Sequence, residues 1–335
     1  MANVVTPVKT GVQGIYGPFK ELDSGFRRND GLADFLTLHK IINKEVGAIL
    51  TAEKKIQVSY YPGCALHGTA REYDDSTKTV SRILGVELRE LPDWNCCGAS
   101  AAHSTDEVLA HQLAGRNLEI AVKEGRDLVI PCAACYSRLK AAEKKGEEEA
   151  VTPATPGKIR VLSILEFLAA PEIAEKIRDS RKKSLEGLRV VCYYGCLYSR
   201  PPRVTGAKNY ENPEEMDRLM KMIGVESIPW SYKTDCCGGS LVLTRTDIMR
   251  RLTQKLFDRA LETGAEAIVV ACPLCQANLD TRQEEISREA GKTYELPIFY
   301  FTELLGIALG HRDPGKWWKK HFVDPSALLQ KKGMN

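Results

Sequence analysis

Short apolar runs alternate with longer amphipathic segments along most of the chain. Residues 56–61 (IQVSYY) and 188–194 (LRVVCYY) are rich in strand-forming residues, and each run leads into a cysteine. Residues 127–132 (DLVIPC) and 267–272 (AIVVAC) have the continuous apolar character of buried parallel strands. The pattern therefore predicts strands at four places, with a cysteine after each.

Two segments between these strands have helical periodicity. They are residues 105–125 and 246–264, and each opens with Thr-Asp as candidate N-caps and closes at a glycine. Strand, helix and strand in this order predict α/β halves with parallel sheets and right-handed crossovers. The cysteines then fall at the carboxyl ends of strands, where open α/β sheets usually bind ligands.

The cysteines repeat in two sets of five. From the double cysteine onward, the second set follows the first at a constant offset of 140 residues, whereas the leading cysteine follows at 132. The flanking sequences repeat too, since ILGVE (83–87) matches MIGVE (222–226) and LSILEFL (162–168) resembles FYFTELL (299–305). Such a repeat predicts two homologous halves, which we expect to be related by a pseudo-twofold axis.

The repeat divides the chain into four parts. We expect linkers at 141–158 and 176–187, and a helix at 32–50 within an N-terminal extension that has no counterpart in either half. The predicted parts are the N-terminal extension (1–55), the first cysteine-rich domain (56–178), the second cysteine-rich domain (188–312) and a C-terminal tail (313–335).

Composition narrows the function. Of the 335 residues, 43% are hydrophobic and 27% are charged, as in soluble globular proteins, and the net charge of +3 gives no reason to expect nucleic acid or an anionic membrane as partner. No apolar run reaches the roughly 18 residues of a membrane-spanning helix, and no secretory h-region is present, so we expect a cytoplasmic protein. Because that compartment keeps thiols reduced, the eleven cysteines favour metal ligation over disulfides.

Several groups could use these cysteines. Zinc closes its tetrahedral site with four thiolates and would leave one cysteine over in each half. A thioredoxin-like dithiol would use only the C-x2-C pair and leave the other three unexplained. Burial accounts for Cys192, which has no partner in the first half, but not for a repeated pattern of ten.

An iron–sulfur centre fits the pattern better. Thiolates hold the iron in these centres, and an ordinary cubane takes four. Adjacent cysteines such as Cys96 and Cys97 cannot easily point at one metal, but they can reach two irons of an extended cluster. Gly98 and Gly238, which follow the double cysteines, allow positive φ and close approach of the backbone to inorganic sulfide. We therefore predict one polynuclear centre in each half.

The spacings C-x31-CCG-x33-C-x2-C and C-x39-CCG-x33-C-x2-C resemble the CCG cysteine-rich domain. Two such domains in one chain are similar to the B subunit of the heterodisulfide reductase family, and HFVDPSALL (321–329) resembles that family's C-terminal end. The resemblance implies two noncubane 4Fe–4S clusters, each with five cysteine ligands. Carried over, the first ligand set is Cys64, Cys96, Cys97, Cys132 and Cys135, and the second is Cys196, Cys236, Cys237, Cys272 and Cys275.

The resemblance implies an oxidoreductase acting on sulfur groups. Reduction of a disulfide to two thiols needs two electrons, and the duplication supplies two one-electron centres. The chain has no ferredoxin cysteine run, no GxGxxG and no flavin signature, so we expect no flavin or nucleotide in it. The family's electron-donating partners are a small ferredoxin-like subunit and a large flavin-bearing subunit. The alternatives are an electron-relay CCG subunit of a lactate, glycolate or succinate oxidoreductase, and a zinc-stabilised scaffold.

Proton donors are expected near the leading cysteines. The candidates are His67 or Tyr61 in the first half and Tyr194 or Lys208 in the second, although surface exposure or packing explains each of them equally well. Arg200 and Arg203 are candidates for binding an acidic group of the substrate.

Overall fold

Two four-stranded parallel sheets form the framework of the computed structural model, which describes residues 55–99, 101–149 and 159–334. The strands of the first sheet lie in the order β2-β1-β3-β4 and those of the second in the order β6-β5-β7-β8, all parallel. Their bounds are β1 Ile56–Tyr60, β2 Val86–Glu90, β3 Leu128–Ile130, β4 Val161–Ser163, β5 Arg189–Tyr193, β6 Glu226–Ser227, β7 Ala267–Val270 and β8 Ile298–Tyr300. The prediction of two homologous α/β halves is confirmed.

The helices cover both sheets. Those of the first half are α1 Gly63–His67, α2 Arg71–Ile83, α3 Ala101–Thr105, α4 Glu107–Glu124, α5 Ala133–Glu149, α6 Ile164–Ala169 and α7 Pro171–Ser180. Those of the second half and the tail are α8 Cys196–Ser199, α9 Pro202–Thr205, α10 Glu215–Met222, α11 Thr246–Glu262, α12 Pro273–Thr281, α13 Gln283–Ala290, α14 Phe301–Ala308, α15 Gly315–Trp318 and α16 Ser326–Lys331. A short 3₁₀ turn, Gly239–Leu241, follows the second double cysteine.

The strand register aligns the halves residue by residue. Tyr60 pairs with Val129 in the first sheet, and Cys192 pairs with Val269 in the second. Because Val129 and Val269 are 140 residues apart, Tyr60 and Cys192 occupy equivalent positions. The eleventh cysteine therefore stands where the first half has a tyrosine, and it is buried in the core as the sequence suggested.

The halves exchange helices at their boundary. Helix α5, which carries the first C-x2-C, packs against α8 and α9 of the second half, and α12, which carries the second, packs against α1 of the first. This reciprocal packing is what a pseudo-twofold relationship requires. It brings each C-x2-C helix next to the leading cysteine of the other half.

Two local predictions are wrong. Asp106 caps α4 by accepting a hydrogen bond from the Leu109 N–H at 2.9 Å, but in the second half the cap position is Arg245 and the Thr246 hydroxyl donates to the Val242 carbonyl. The segment 141–149, predicted to be a linker, continues α5, because the seventeen residues of this helix bury one side against the second half. The predicted helix at 32–50 lies outside the described residues.

The C-terminal tail is part of the folded structure. Trp317, Trp318 and Leu329 are buried, and His321 forms a 3.0 Å hydrogen-bonded ion pair with Glu303 of α14 in the interior. Lys332 closes the end of the tail by pairing with Glu266 at 2.7 Å.

Candidate metal centre

The leading cysteine of each set lies just after the first strand of its half. Cys64 lies in α1 and Cys196 begins α8, and the glycine before each has φ of +70°. A Cβ at Gly63 would lie 2.9 Å from Cys135 Sγ, and a Cβ at Gly195 would lie 2.9 Å from Cys275 Sγ. No side chain fits at either position, so the backbone of the leading loop closely approaches the last thiol of the C-x2-C.

The double cysteines present one buried and one exposed thiol in each half. Buried Cys97 lies 3.2 Å from Cys135, Sγ to Sγ, and buried Cys237 lies 3.7 Å from Cys275. Cys96 and Cys236 are exposed. The two thiols of a pair therefore point in different directions, as the sequence argument for an extended group expected of adjacent cysteines.

Gly98 and Gly238 both have φ of 78°. Their N–H groups donate to Cys96 Sγ at 3.4 Å and to Cys236 Sγ at 3.3 Å. A Cβ would meet the backbone of the next helix, 3.2 Å from the Ala110 Cα in the first half and 2.8 Å from the Met249 Cα in the second. Glycine is thus needed here because the CCG turn packs directly on a helix.

The second set of cysteines surrounds one small cavity. Its wall includes Tyr194, Gly195, Leu197, Leu274 and, from the first half, Ala133. The cavity has a volume of about 70 Å³, and all five thiols of the set line it: Cys196, Cys236, Cys237, Cys272 and Cys275. The tertiary structure therefore gathers five cysteines that lie far apart in the sequence.

The two sets of cysteines meet at the boundary between the halves. Hydrogen bonding to Cys135 lowers the pKa of Cys132, but the interaction with the Cys272 thiol, together with burial, raises it well above the ordinary value. The same contact with Cys132, followed by that with Cys275, holds the pKa of Cys272 well below the ordinary value. The two candidate sites are therefore in contact.

Tyr61 and Tyr193 are equivalent residues that face the two sets of thiols. The Tyr61 hydroxyl donates to the Asn95 carbonyl at 2.8 Å, and the Tyr193 hydroxyl donates to the Asp235 carbonyl at 2.6 Å. Asn95 and Asp235 immediately precede the double cysteines. Burial, followed by Cys135 in the first half and Cys275 in the second, raises the pKa of each tyrosine above its ordinary value. Both tyrosines hold a double-cysteine loop as hydrogen-bond donors.

Sequence reasoning named Tyr61 but not Tyr193. The signal was present, since Tyr193 follows Tyr61 by the same 132 residues that separate Cys64 from Cys196. Tyr194, the residue named instead, stands at the position of Pro62 in that alignment.

Tyr194 lines the second cavity, but its hydroxyl points away from the thiols. It donates to Asp217 Oδ2 at 2.6 Å, and Lys233 Nζ pairs with the same oxygen at 3.1 Å in the interior. Burial, followed by Asp217, raises the pKa of Tyr194 above its ordinary value. The first half contains a similar unit, in which Asp74 accepts from Tyr60 at 2.8 Å and from Lys78 at 2.6 Å.

The other predicted proton donors lie near the surface. His67 is half-exposed on α1, one turn after Cys64, where its ring pairs with Glu90 at 3.0 Å and meets the edge of Trp94. Lys208 is exposed in the loop after α9. The structure thus brings His67 close to a leading cysteine along its helix and leaves Lys208 at the surface.

The two arginines named for substrate binding have partners of their own. Arg200 Nη2 bonds the Glu211 carboxylate and donates to Thr234 Oγ1 at 2.8 Å. Arg203 is exposed on α9, and its carbonyl accepts a 2.6 Å hydrogen bond from Lys144 of the first half.

The donor atoms fit a polynuclear iron–sulfur group better than a zinc ion. All eleven cysteines are free thiols. Within residues 55–99, 101–149 and 159–334, no group of three or more histidine, cysteine, aspartate or glutamate side chains has the geometry of a single-ion site. Five thiols around one cavity, with glycines that let the backbone approach them, instead match the ligand number and the space that an extended cluster requires.

Comparison with protein families identifies the fold of both halves. The model of the CCG cysteine-rich domain matches residues 58–140 and again 190–280, which together make up more than half of the chain. The chain belongs to this family. Both matched regions run from the first strand to the helix after the C-x2-C, so they contain all ten repeated cysteines.

Curated relatives of this CCG protein cover most of its length. It is 29% identical to the membrane anchor subunit of the 8-methylmenaquinol:fumarate reductase of Wolinella succinogenes over 76% of this chain and 92% of that protein. It is 27% identical to the B subunit of the ferredoxin:CoB-CoM heterodisulfide reductase of Methanosarcina mazei over 76% of this chain and 89% of that one. A protein of Archaeoglobus profundus named as similar to the B subunit of heterodisulfide reductase is 26% identical over 78% of this chain and 93% of that one. The resemblance predicted from the sequence is confirmed.

One solved structure shares the fold. A hypothetical protein from Helicobacter pylori superposes with a TM-score of 0.62 at 12% sequence identity. The match covers 81% of this chain and 52% of that one, so this chain corresponds to about half of the larger protein. In the part of this chain that the structure describes, no helix is long and apolar enough to cross a bilayer.

Proposed function

We propose that this protein is the catalytic iron–sulfur subunit of a heterodisulfide reductase-type complex. The single observation that carries the proposal is the contact between two five-cysteine sites at Cys132 and Cys272. A disulfide has two sulfur atoms and takes up two electrons, so a pair of adjacent, related centres suits it. The relatives named for the B subunit of heterodisulfide reductase support the same interpretation.

Each five-cysteine set holds one noncubane 4Fe–4S cluster in this proposal. The ligands are the two sets named from the sequence, and the cavity lined by all five thiols of the second set supports that assignment. Bound clusters supply one-electron transfer, and two in one chain match the two electrons that a disulfide consumes. Gly63, Gly98, Gly195 and Gly238 keep the space beside the thiols free of side chains.

The protein's own residues position the sulfurs and limit access of water. Tyr61 and Tyr193 fix the loops that carry the double cysteines, while Cys132 and Cys272 lie buried between the halves. The leading thiol Cys64 is exposed and Cys196 is partly exposed, which leaves each site one open side for a substrate. His67, beside Cys64 and paired with Glu90, supplies a proton at its imidazole nitrogen.

Electrons and location also belong to the proposal. The donors are a ferredoxin-like subunit and a flavin-bearing subunit of the same complex, consistent with the absence of flavin and nucleotide motifs from this sequence. The complex works in the cytoplasm, where eleven free thiols stay reduced.

A second function has support from one relative. The fumarate reductase anchor subunit is 29% identical and aligns over 92% of its length, so an electron-relay role in another oxidoreductase fits the same fold. In that case the clusters pass electrons onward and bind no disulfide.

The deciding experiment measures iron, sulfide and zinc in anaerobically purified protein, followed by electron paramagnetic resonance (EPR) of the oxidised protein with added thiols. We expect about eight irons per chain and a paramagnetic signal that depends on the thiol. Eight irons without a thiol-dependent signal would favour the relay function. Zinc in place of iron would refute both functions and leave a scaffold.

A further inference from the structure

The two sites differ in the residue one turn after the C-x2-C. Arg138 follows Cys135 by three residues on α5, so both lie on the same face of that helix. The equivalent of Arg138 in the second half is Asn278, three residues after Cys275. Asn278 is buried and donates to the Cys237 carbonyl at 2.7 Å, which makes it a structural residue. Only the first site therefore has a cation at this position.

Arg138 is held in place without being neutralised. Its Nη1 lies 2.8 Å from His103 Nδ1, and since a guanidinium only donates, Nδ1 accepts and the imidazole proton is on Nε2. No carboxylate pairs with Arg138 in residues 55–99, 101–149 and 159–334. The side chain is partly exposed, and its remaining N–H groups are available to a ligand.

The charge of Arg138 acts on the first site. A hydrogen bond with Cys135 is the main cause that lowers the pKa of Cys97 to about 7, and the positive charge of Arg138 acts in the same direction. The guanidinium thus lies within electrostatic reach of a thiol of the site, close to the exposed Cys96.

The cations near the second site are already compensated. Arg200 bonds the Glu211 carboxylate, and Lys233 pairs with Asp217 in the interior. The wall of the second cavity carries Leu274, which is 47% exposed, where the first half has buried Ala134. The second site is therefore apolar at its edge, whereas the first presents a positive charge with no carboxylate partner among the described residues.

We propose that Arg138, oriented by His103, binds the anionic group of one thiol half of an asymmetric disulfide at the first site, while the second site takes the less polar half. The proposal rests on the disulfide function above and narrows its substrate class to disulfides with a carboxylate, sulfonate or phosphate on one side. A guanidinium binds such groups through two parallel hydrogen bonds, which an ammonium cannot reproduce.

The test compares R138M and R138K with the matched control K140M in the complete, cluster-loaded complex. Lys140 lies on the same helix but pairs with Glu143, so K140M removes the same charge away from the site. Anaerobic equilibrium dialysis measures binding of 3-mercaptopropionate, which is anionic, and of 2-mercaptoethanol, which is not. The same variants are assayed for reduction of the two corresponding disulfides.

We expect R138M to weaken binding of 3-mercaptopropionate about tenfold or more, R138K to weaken it less, and K140M to leave it unchanged. Binding of 2-mercaptoethanol should not change, and KM for the anionic disulfide should rise without a change in kcat. Equal effects on both thiols, a change in kcat alone, or wild-type protein that does not prefer the anionic thiol would overturn the proposal. If the wild type reduces neither disulfide but still prefers the anion through Arg138, the disulfide function fails and the anion site stands.

Discussion

Tyr73 and Tyr300 stack face to face across the boundary between the halves, with ring centroids 4.1 Å apart and planes 5° from parallel. The Tyr73 hydroxyl lies 3.2 Å from the Pro131 carbonyl and 3.1 Å from the Ala271 carbonyl. These two carbonyls immediately precede Cys132 and Cys272. One side chain therefore ties together the two strand ends from which the candidate sites begin.

The Y73F variant keeps the stacked ring and removes the hydroxyl. Because both carbonyls then lose a buried donor, we expect the free energy of unfolding to fall by about 1–2 kcal/mol. Y73L should cost more, about 3 kcal/mol or above, since the aromatic packing is lost as well. Chemical denaturation of the anaerobic protein measures both. Y210F, at a residue that is 38% exposed, is the control and should be neutral.

G63A and G195A test whether the glycines make room for the thiols. A Cβ at either position would lie 2.9 Å from a cysteine sulfur, so each variant should lose about half of the iron per chain. Metal analysis of anaerobically purified protein provides the measurement. G85A is the matched control, because Gly85 also has positive φ (+71°) but a Cβ there would meet nothing within 4 Å. If G85A lost as much iron, backbone strain and not crowding of the thiols would be the cause.

C192S separates the eleventh cysteine from the other ten. Cys192 occupies the position of Tyr60, and its side chain contacts the Ser227 hydroxyl at 3.4 Å, so the variant should retain full iron content. C196S, four residues later, should lose the second centre. Iron loss in C192S equal to that in C196S would show that the assignment of the ligand set is wrong.

The ion pair between His321 and Glu303 predicts a pH dependence of stability. Burial alone would lower the pKa of His321, but the adjacent Glu303, with Asp280 and Glu72 also facing the ring, raises it to about 9. A histidine with a raised pKa contributes its stability fully below its unfolded pKa of about 6.5, and the contribution is lost as pH rises through about 9.

H321Q should therefore be destabilised by on the order of 3 kcal/mol at pH 6, with a smaller difference at pH 9.5. Denaturant unfolding of both proteins across this range checks the prediction. A difference that stays constant with pH would mean that packing, and not the charge of His321, accounts for the loss. H311Q is the control, because His311 stacks on Trp317 and lies outside this cluster of acids.

The sequence by itself determined the duplication, the strands and the ten repeated cysteines. Strand residues such as those of β1 and β7 are continuous apolar runs, and the constant offset of 140 between cysteines cannot arise from local structure alone. Asp106 as a helix cap was equally readable, because capping depends on residues that are neighbours in sequence.

Only the tertiary structure decided what depends on contacts between distant residues. The role of Tyr193 followed from strand register, which places its hydroxyl on a carbonyl 42 positions later. The length of α5 followed from packing against the second half, which overrides a weak helical period. The difference between Arg138 and Asn278 appears only when both sites are seen together, since charge compensation is a property of neighbours in space.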